Sequence, residues 1–453
     1  MTLTRVPLVL VLAALLVGAG VASSSSHATN PASVGTRSAN VESTALYCAG
    51  LTDAKGVASG RVIFENASDV RRLVSVVVSS DVGASWTGSL TLSAHSRASL
   101  TPSSLVKGHN FGVAAQISGT GVVAEMLAAA NDAASPCVSQ GVAQWYATGF
   151  DTLVGSSAFL SIVNPTATPA VFSVSIFTAN GFAAPASFQG LSVAPHGEVV
   201  VNLGNQIVNT ANVGVHVRVL RGALAITGVQ SSHGVTSFVQ GVRSPQRKLW
   251  FASVTTVNLA TAQVRFANPH DTPVSVSVKV NLTNFSPAIQ QVELAPFATG
   301  LLTITPNSAI APDAYGALTV SSSRGVVADL AVGDGSFEQL SSSPTPVARL
   351  VVEDFTGRGL DAARVTNTSR HGVTVAVTSV RLLQSNGALS SAVTVHVTLA
   401  AGATISLTTM AGQPMNWATT KLVVSTSKAV LVAGLTLPTK PAGDVVLAAL
   451  NGG

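Results

Sequence analysis

Four segments of this chain share one pattern, a strand-like apolar run that ends on asparagine and breaks into turn residues. They are VIFENAS with Asn66, LSIVNPT with Asn164, VRFANPH with Asn268 and ARVTNTS with Asn367. The asparagines recur at intervals of about 100 residues, a period that marks a repeated structural unit. Two further landmarks follow each asparagine in the same order. The first set is LTLSAHSRASL, LSVAPHGEVVV, VELAPFATGLL and VTLAAGATISL; the second is GTGVVAE, LRGALAI, SRGVVAD and, more loosely, SKAVLVA. Any fold for this chain must therefore be built from one unit used four times.

Each asparagine turn leads into a run of period two. In PVSVSVKVNL, Val274, Val276, Val278 and Val280 take one face while Ser275, Ser277 and Lys279 take the other. Phe172, Val174 and Ile176 alternate in the same way, as do Val373, Val375 and Val377. One buried face and one wet face is the pattern of antiparallel sandwich sheets. A repeat of about 100 residues holding about seven strands has the size of an immunoglobulin-like sandwich. Composition agrees: charged residues are only 9% of the chain and small or β-branched residues fill the difference, which favours strands over helices. The expected fold is all-β, a tandem array of four immunoglobulin-like antiparallel β-sandwich units after a signal peptide.

The signal peptide is read from Arg5, the apolar run VPLVLVLAALLVGAGVA and Gly20-Val21-Ala22 as a cleavage site. An uncleaved anchor is the alternative, although the run is slightly short for a membrane span of ~20 residues. The expected organisation is residues 1–22 as signal peptide or anchor, 23–43 as a Ser-rich tether, and sandwich units at 44–143, 144–246, 247–346 and 347–453. The localisation expected is extracellular or cell-surface. In an oxidising compartment the two cysteines, Cys48 and Cys137, are expected to form a disulfide between the first and last strands of the first unit. That unit is expected to pack on a neighbour at one end only.

Motifs that suggest chemistry each have a duller reading. The stretch SSDVGASW, Ser79–Trp86, has the spacing of an Asp-box from sialidase-type propellers. Its place in the second unit is taken by FTANGFAA and in the fourth by LLQSNGAL, so it reads as a hairpin turn. Glu125 and Asp329 occupy equivalent positions on different units and do not converge as a glycosidase pair. Asp329, Asp334 and Glu338 read as a solvated hairpin before they read as a calcium site, and Glu353–Asp354 offers no better pair. His216 and His396 alternate with valines and read as solvent-face strand residues. The aromatics at unit openings, Tyr47, Trp145-Tyr146 and Trp250-Phe251, are either a sugar-stacking platform or plugs between consecutive units. RSPQRK, Arg243–Lys248, reads as a solvated linker; a net charge of +5 without a clustered basic face gives no footprint for nucleic acid. The sequons at Asn66, Asn281 and Asn367 read as accidental. No cofactor or metal is expected.

With these motifs assembled, the chain resembles an actinobacterial secreted family, domain of unknown function 5719. The resemblance rests on the aromatic-small openings WYATG and WFASV, the NP turns and the GVVA strand, and the last unit departs most from it. It implies an envelope-exported protein and no particular chemistry. The function expected is a secreted or surface-tethered, non-enzymatic envelope structural or interaction protein, with envelope glycans or envelope proteins as partners and no nucleic acid. The membrane would be met only through an uncleaved N-terminal segment. A carbohydrate-binding module array and a glycan-processing enzyme are the alternatives.

Overall fold

The computed structural model describes residues 44–53, 60–66, 68–94, 96–128, 134–232, 235–255, 261–282, 288–305, 315–333, 338–341, 349–354, 363–381, 393–406, 420–427, 431–435 and 445–449. The signal-peptide and tether segments, LLQSNGAL and Asp334 lie outside these residues. Among the described residues the protein is all-β, with antiparallel sheets and short 3-10 turns such as Pro102–Ser104.

The chain first forms β1 (Ala45–Thr52), β2 (Arg61–Asn66), β3 (Arg72–Ser80), β4 (Ser85–Leu92), β5 (Arg97–Leu100), β6 (Asn110–Ile117), β7 (Val122–Leu127) and β8 (Ala134–Pro136). These pair as two sheets, β1-β6-β3-β4 and β5-β2-β7-β8. The alternation read from sequence explains the pairing of faces. Val74, Val76 and Val78 of β3 and Val62 and Phe64 of β2 are fully buried in one shared core.

The order then recurs. Strands β9 (Gln144–Phe150), β10 (Ser156–Val163), β11 (Ala170–Thr178), β12 (Gly181–Ala183), β13 (Leu191–Val193), β14 (Glu198–Asn202), β15 (Val213–Arg221), β16 (Ala225–Ser232) and β17 (Val235–Val239) follow. They form β12-β11-β15-β9, with β13 also on β11, and β14-β10-β16-β17. Phe172, Val174 and Ile176 lie in the core between them.

The third set is β18 (Gln246–Thr255), β19 (Thr261–Ala267), β20 (Val274–Leu282), β21 (Ala288–Leu294), β22 (Thr299–Ile304), β23 (Tyr315–Gly333) and β24 (Glu338–Ser341). Here one 19-residue strand does the work of two. The first part of β23 pairs with β20, and its last part pairs with β19 and β24. Val274, Val276, Val278 and Val280 are buried in this third core.

The last set is β25 (Arg349–Asp354), β26 (Ala363–Asn367), β27 (Val373–Arg381), β28 (Val393–Leu399), β29 (Thr404–Ser406), β30 (Thr420–Ser425), β31 (Leu431–Leu435) and β32 (Val445–Ala449). Its sheets are β28-β27-β30-β25-β32 and β29-β26-β31. The final strand extends the first sheet beside β25 instead of the second beside β31. The first two sets hold at least eight strands instead of about seven, because β8 and β17 each add an edge strand.

The four asparagines sit at one equivalent place, the end of β2, β10, β19 and β26, and each is fully buried. One set of hydrogen bonds is common to every copy. The side-chain oxygen accepts from the backbone N–H two residues on: Ser68, Thr166, His270 and Ser369, at 3.0, 3.0, 3.0 and 2.9 Å. This is an Asx turn. The side-chain nitrogen donates to the carbonyl four residues on, at Val70, Thr168, Thr272 and His371. It also reaches two successive carbonyls far along the chain: Leu92 and Ser93, Val193 and Ala194, Leu294 and Ala295, Leu399 and Ala400. One amide thus ties the end of one strand, the approach to the next strand in the opposite sheet, and the turn beyond that sheet's edge.

Only an amide of this length fits. It must donate to several carbonyls and accept one N–H, whereas a carboxylate would face those carbonyls with lone pairs. Asn268→Asp, nearly isosteric, should therefore destabilise the chain by about 2–4 kcal/mol, since buried acceptors lose their donors. Chemical denaturation followed by tryptophan fluorescence would register the loss, and an unchanged midpoint would refute the clamp.

Candidate functional site

The residues that looked most like chemistry serve the hairpins and the joints between successive sheet pairs. Asp81 lies in the turn from β3 to β4, with Gly83 at φ 78°. Its two carboxylate oxygens accept from the His109 N–H at 3.0 Å and the Asn110 amide at 2.8 Å. Burial pushes this carboxyl up, but those hydrogen bonds outweigh it and hold the group below its ordinary value. The Asp-box spacing is thus a hairpin that grips the loop into β6. FTANGFAA is the matching turn from β11 to β12.

Each joint is face-to-face sheet packing. The sheet containing β1 lies against β10 and β16, and the sheet containing β9 lies against β19 and β23. Close approach depends on two glycines at equivalent places. A Cβ on Gly112 would sit 2.3 Å from Val163, and one on Gly214 would sit 3.0 Å from Ala267. Val163 and Ala267 are the residues before the clamp asparagines Asn164 and Asn268.

The first joint encloses Glu198. Its Oε1 accepts from Ser161 Oγ at 2.5 Å, and its side chain is buried beside Gly112. Burial raises its pKa well above the ordinary value; the Ser161 bond opposes this and the Asp81 charge adds to it. The second joint is ionic. Arg265, 6% exposed, donates to the Gly149 carbonyl at 2.6 Å and faces Asp151 Oδ2 at 3.4 Å. Asp151 Oδ1 accepts from the Asn212 N–H at 2.8 Å, and the Asn212 side chain donates across the joint to the Gly300 carbonyl at 2.6 Å.

The aromatic openings divide between these roles. Trp145 and Phe251 are core residues of their own sheet pairs. Tyr47 and Tyr146 instead pack at the joints, Tyr47 with Ala49, Val163 and Ala225, and Tyr146 with Phe177, Val242, Ala267 and Val327. Trp250 is half-buried beneath the Lys248 ammonium, 4.9 Å from its ring. Tyr146 stacks on His216 with ring centroids 4.1 Å apart, and Gln144 bonds to both. Burial first, and then the Arg218 charge, lower the His216 pKa to about 4, so the ring is neutral near pH 7. The solvent-face reading of His216 is corrected accordingly, while His396 is exposed.

Asp329 is also corrected. It is buried, 4% exposed, and directly opposes Arg265 across β19 and β23, because that face of the sheet meets a neighbour instead of water. Glu125 is buried as well, opposite Ile63. Glu338 lies in β24 and Glu353–Asp354 in β25. Among the described residues no group of three or more His, Cys, Asp or Glu could hold a metal ion. RSPQRK is not only linker, since β18 begins within it at Gln246.

Cys48 and Cys137 form a disulfide with Cα atoms 4.5 Å apart. It joins β1 to the residue after β8, next to a two-way backbone pairing of Tyr47 with Val138. The same pairing occurs between Tyr146 and Val242, and there Ala147 and Gly241 stand where the cysteines would be. The Trp145 indole fills that place, so a Cβ on Gly241 would fall 2.0 Å from it. A covalent bond in one sheet pair is replaced by a packed indole in the next.

Residues 114–237 match the model of a Family of unknown function (DUF5719). It is the family that the motifs resemble. The DUF5719 match runs from β6 to β17 and includes GVVA, WYATG and the first NP turn; WFASV lies beyond it. No curated protein matches the chain. Among solved structures, the tetra-tandem repeat in the extending region of a large adhesion protein is similar at 16% identity, over 92% of this chain and 97% of that one, with a TM-score of 0.15. The Streptomyces avermitilis α-L-rhamnosidase complexed with L-rhamnose is similar at 12% identity, over 82% of this chain and 54% of that one, with a TM-score of 0.14. At these TM-scores neither likeness carries fold or function across.

Glu198, Arg265, Asp151 and Asn212 were not singled out from sequence. A charged residue three places before the clamp asparagine, as in VRFAN, is the signal that a strand's second face is covered. Two measurements check the joints. Because folding raises the Glu198 pKa, the folded chain retains a proton that the unfolded chain releases above the ordinary carboxylate range. Stability therefore falls as pH rises from there toward the folded pKa. Glu198→Gln should match the parent at pH 4 and melt higher at pH 8, by about 2–4 °C for each kcal/mol removed. Equal pH profiles for the two proteins would refute the assignment. Arg265→Ala should cost about 3–5 kcal/mol in urea denaturation, as expected when one member of a buried pair is removed.

Proposed function

We propose that this chain is an exported, non-enzymatic interaction or scaffold protein of the cell envelope. In this reading the sheet pairs are four immunoglobulin-like units in tandem, preceded by a signal peptide or anchor at residues 1–22. Envelope proteins or envelope glycans are the partners in this reading, and an actinobacterial source is part of it. The observation that carries the reading is the use of polar chemistry. Glu198, Arg265, Asp151 and Asp81 are engaged in holding sheets and hairpins to one another. Side chains committed in this way give the molecule shape and rigidity.

The disulfide supports export, since such bonds persist chiefly in oxidising compartments. A carbohydrate-binding array is less well supported. It needs coplanar aromatics exposed on one sheet face, and Trp145 and Phe251 face inward while Tyr146 is stacked on His216.

Cell fractionation should find the protein outside the cytoplasmic membrane. Non-reducing mass spectrometry of that fraction should find the Cys48–Cys137 linked peptide. Full-length protein in the cytosol with two free thiols would overturn the proposal.

A further inference from the structure

The joints have a direction. In each, the sheet carrying a pair's first strand, β1 or β9, packs on the sheet carrying the next pair's clamp asparagine, β10 or β19. The third joint repeats this, with β18 against β26 and β31. The two middle pairs therefore each have one giving face and one receiving face, and each joint is a heterologous contact. Such contacts either close into a ring or run on as an open stack.

Two faces remain at the ends of this scheme. One is the receiving face of the first pair, β5-β2-β7-β8. On β2, Val62 and Phe64 point into the core, so Ile63 and Glu65 point to the receiving side. An unoccupied face would leave them in water, yet Ile63 is 7% exposed and Glu65 is fully buried. Glu125 on β7, cross-strand from Ile63, is 2% exposed. The first pair is therefore not covered at one end only.

The strand that identifies the cover is β32. It extends the giving sheet of the last pair beside β25, and it lies against β8, the edge of that receiving sheet. Strand β17 touches both β8 and β24, so the equivalent edge strands of three successive pairs meet along one side. Gln240, just after β17, bonds there to Ser135 of β8.

We infer that the giving sheet of the last pair, β28-β27-β30-β25-β32, occupies the receiving face of the first sheet pair, so that the four pairs close into a ring. Neither face is then left to bind another copy head to tail, and a partner meets the outer edges and turns.

The test uses the full chain with its native disulfide intact and spin labels on exposed positions in the corresponding turns of the pairs. Ser93 follows β4, Ala194 follows β13 and Ala401 lies just after β28; all three are exposed. The variant Ser93→Cys with Ala194→Cys measures the spacing of neighbouring pairs. In a ring, Ser93→Cys with Ala401→Cys gives the same spacing. An open stack puts three repeats between those labels, roughly three times the neighbouring distance, and that result overturns the inference. Diluting with a tenfold excess of unlabelled chain should leave the short distance intact. If dilution removes it, the receiving face holds a second copy and ring closure is refuted.

Discussion

A buried side-chain amide at the end of one strand is the contact on which the rest of this protein depends. Each clamp asparagine is itself fully buried, and its amide satisfies the carbonyls of a strand end and two turns where two sheets converge. It fixes the path from one sheet to the other and the distance between the strand end and the distal turn. The residue before it, Val163 or Ala267, is thereby presented to the neighbouring sheet opposite Gly112 or Gly214. Local turn chemistry and long-range stacking are set by the same few atoms.

Much of this could be read in advance because the repeat and the alternation of period two are sequence-level quantities. The valines of β20 and the apolar face of β11 lie in the cores that their spacing implies. The second faces were harder. Alternation labels Ser, Arg, Glu and His as wet, and that holds only where water lies beyond the sheet. Ser161 and Arg265 look solvated in sequence and are buried because another sheet lies over them. The aromatic openings were ambiguous for a related reason. Neighbouring residues on a strand point to opposite sides, so Trp145 enters its own core while Tyr146 enters the joint.

The joints differ from the cores in their chemistry. Within a sheet pair the contacts are apolar and non-directional, whereas the joints combine small apolar contacts with a few charged groups removed from water. Buried charge contributes little net stability but penalises wrong pairings heavily. A chain made of similar units faces that hazard directly, because any receiving face resembles every other. Glu198 at one joint and Arg265 with Asp151 at the next make two otherwise similar surfaces chemically unlike.

The clamp also bears on how such a protein ages. Asparagine loses its amide when the backbone nitrogen of the following residue attacks the side-chain carbonyl. Asn164 and Asn268 are each followed by proline, whose nitrogen carries no hydrogen. The route is chemically closed at the two middle clamps. Asn66 and Asn367 precede Ala67 and Thr368 and depend on being held rigidly in the turn. Slow conversion to a carboxylate would set a negative charge against a ring of carbonyl oxygens. Over a long life, wear of this kind begins in the first and last sheet pairs and spares the two between them.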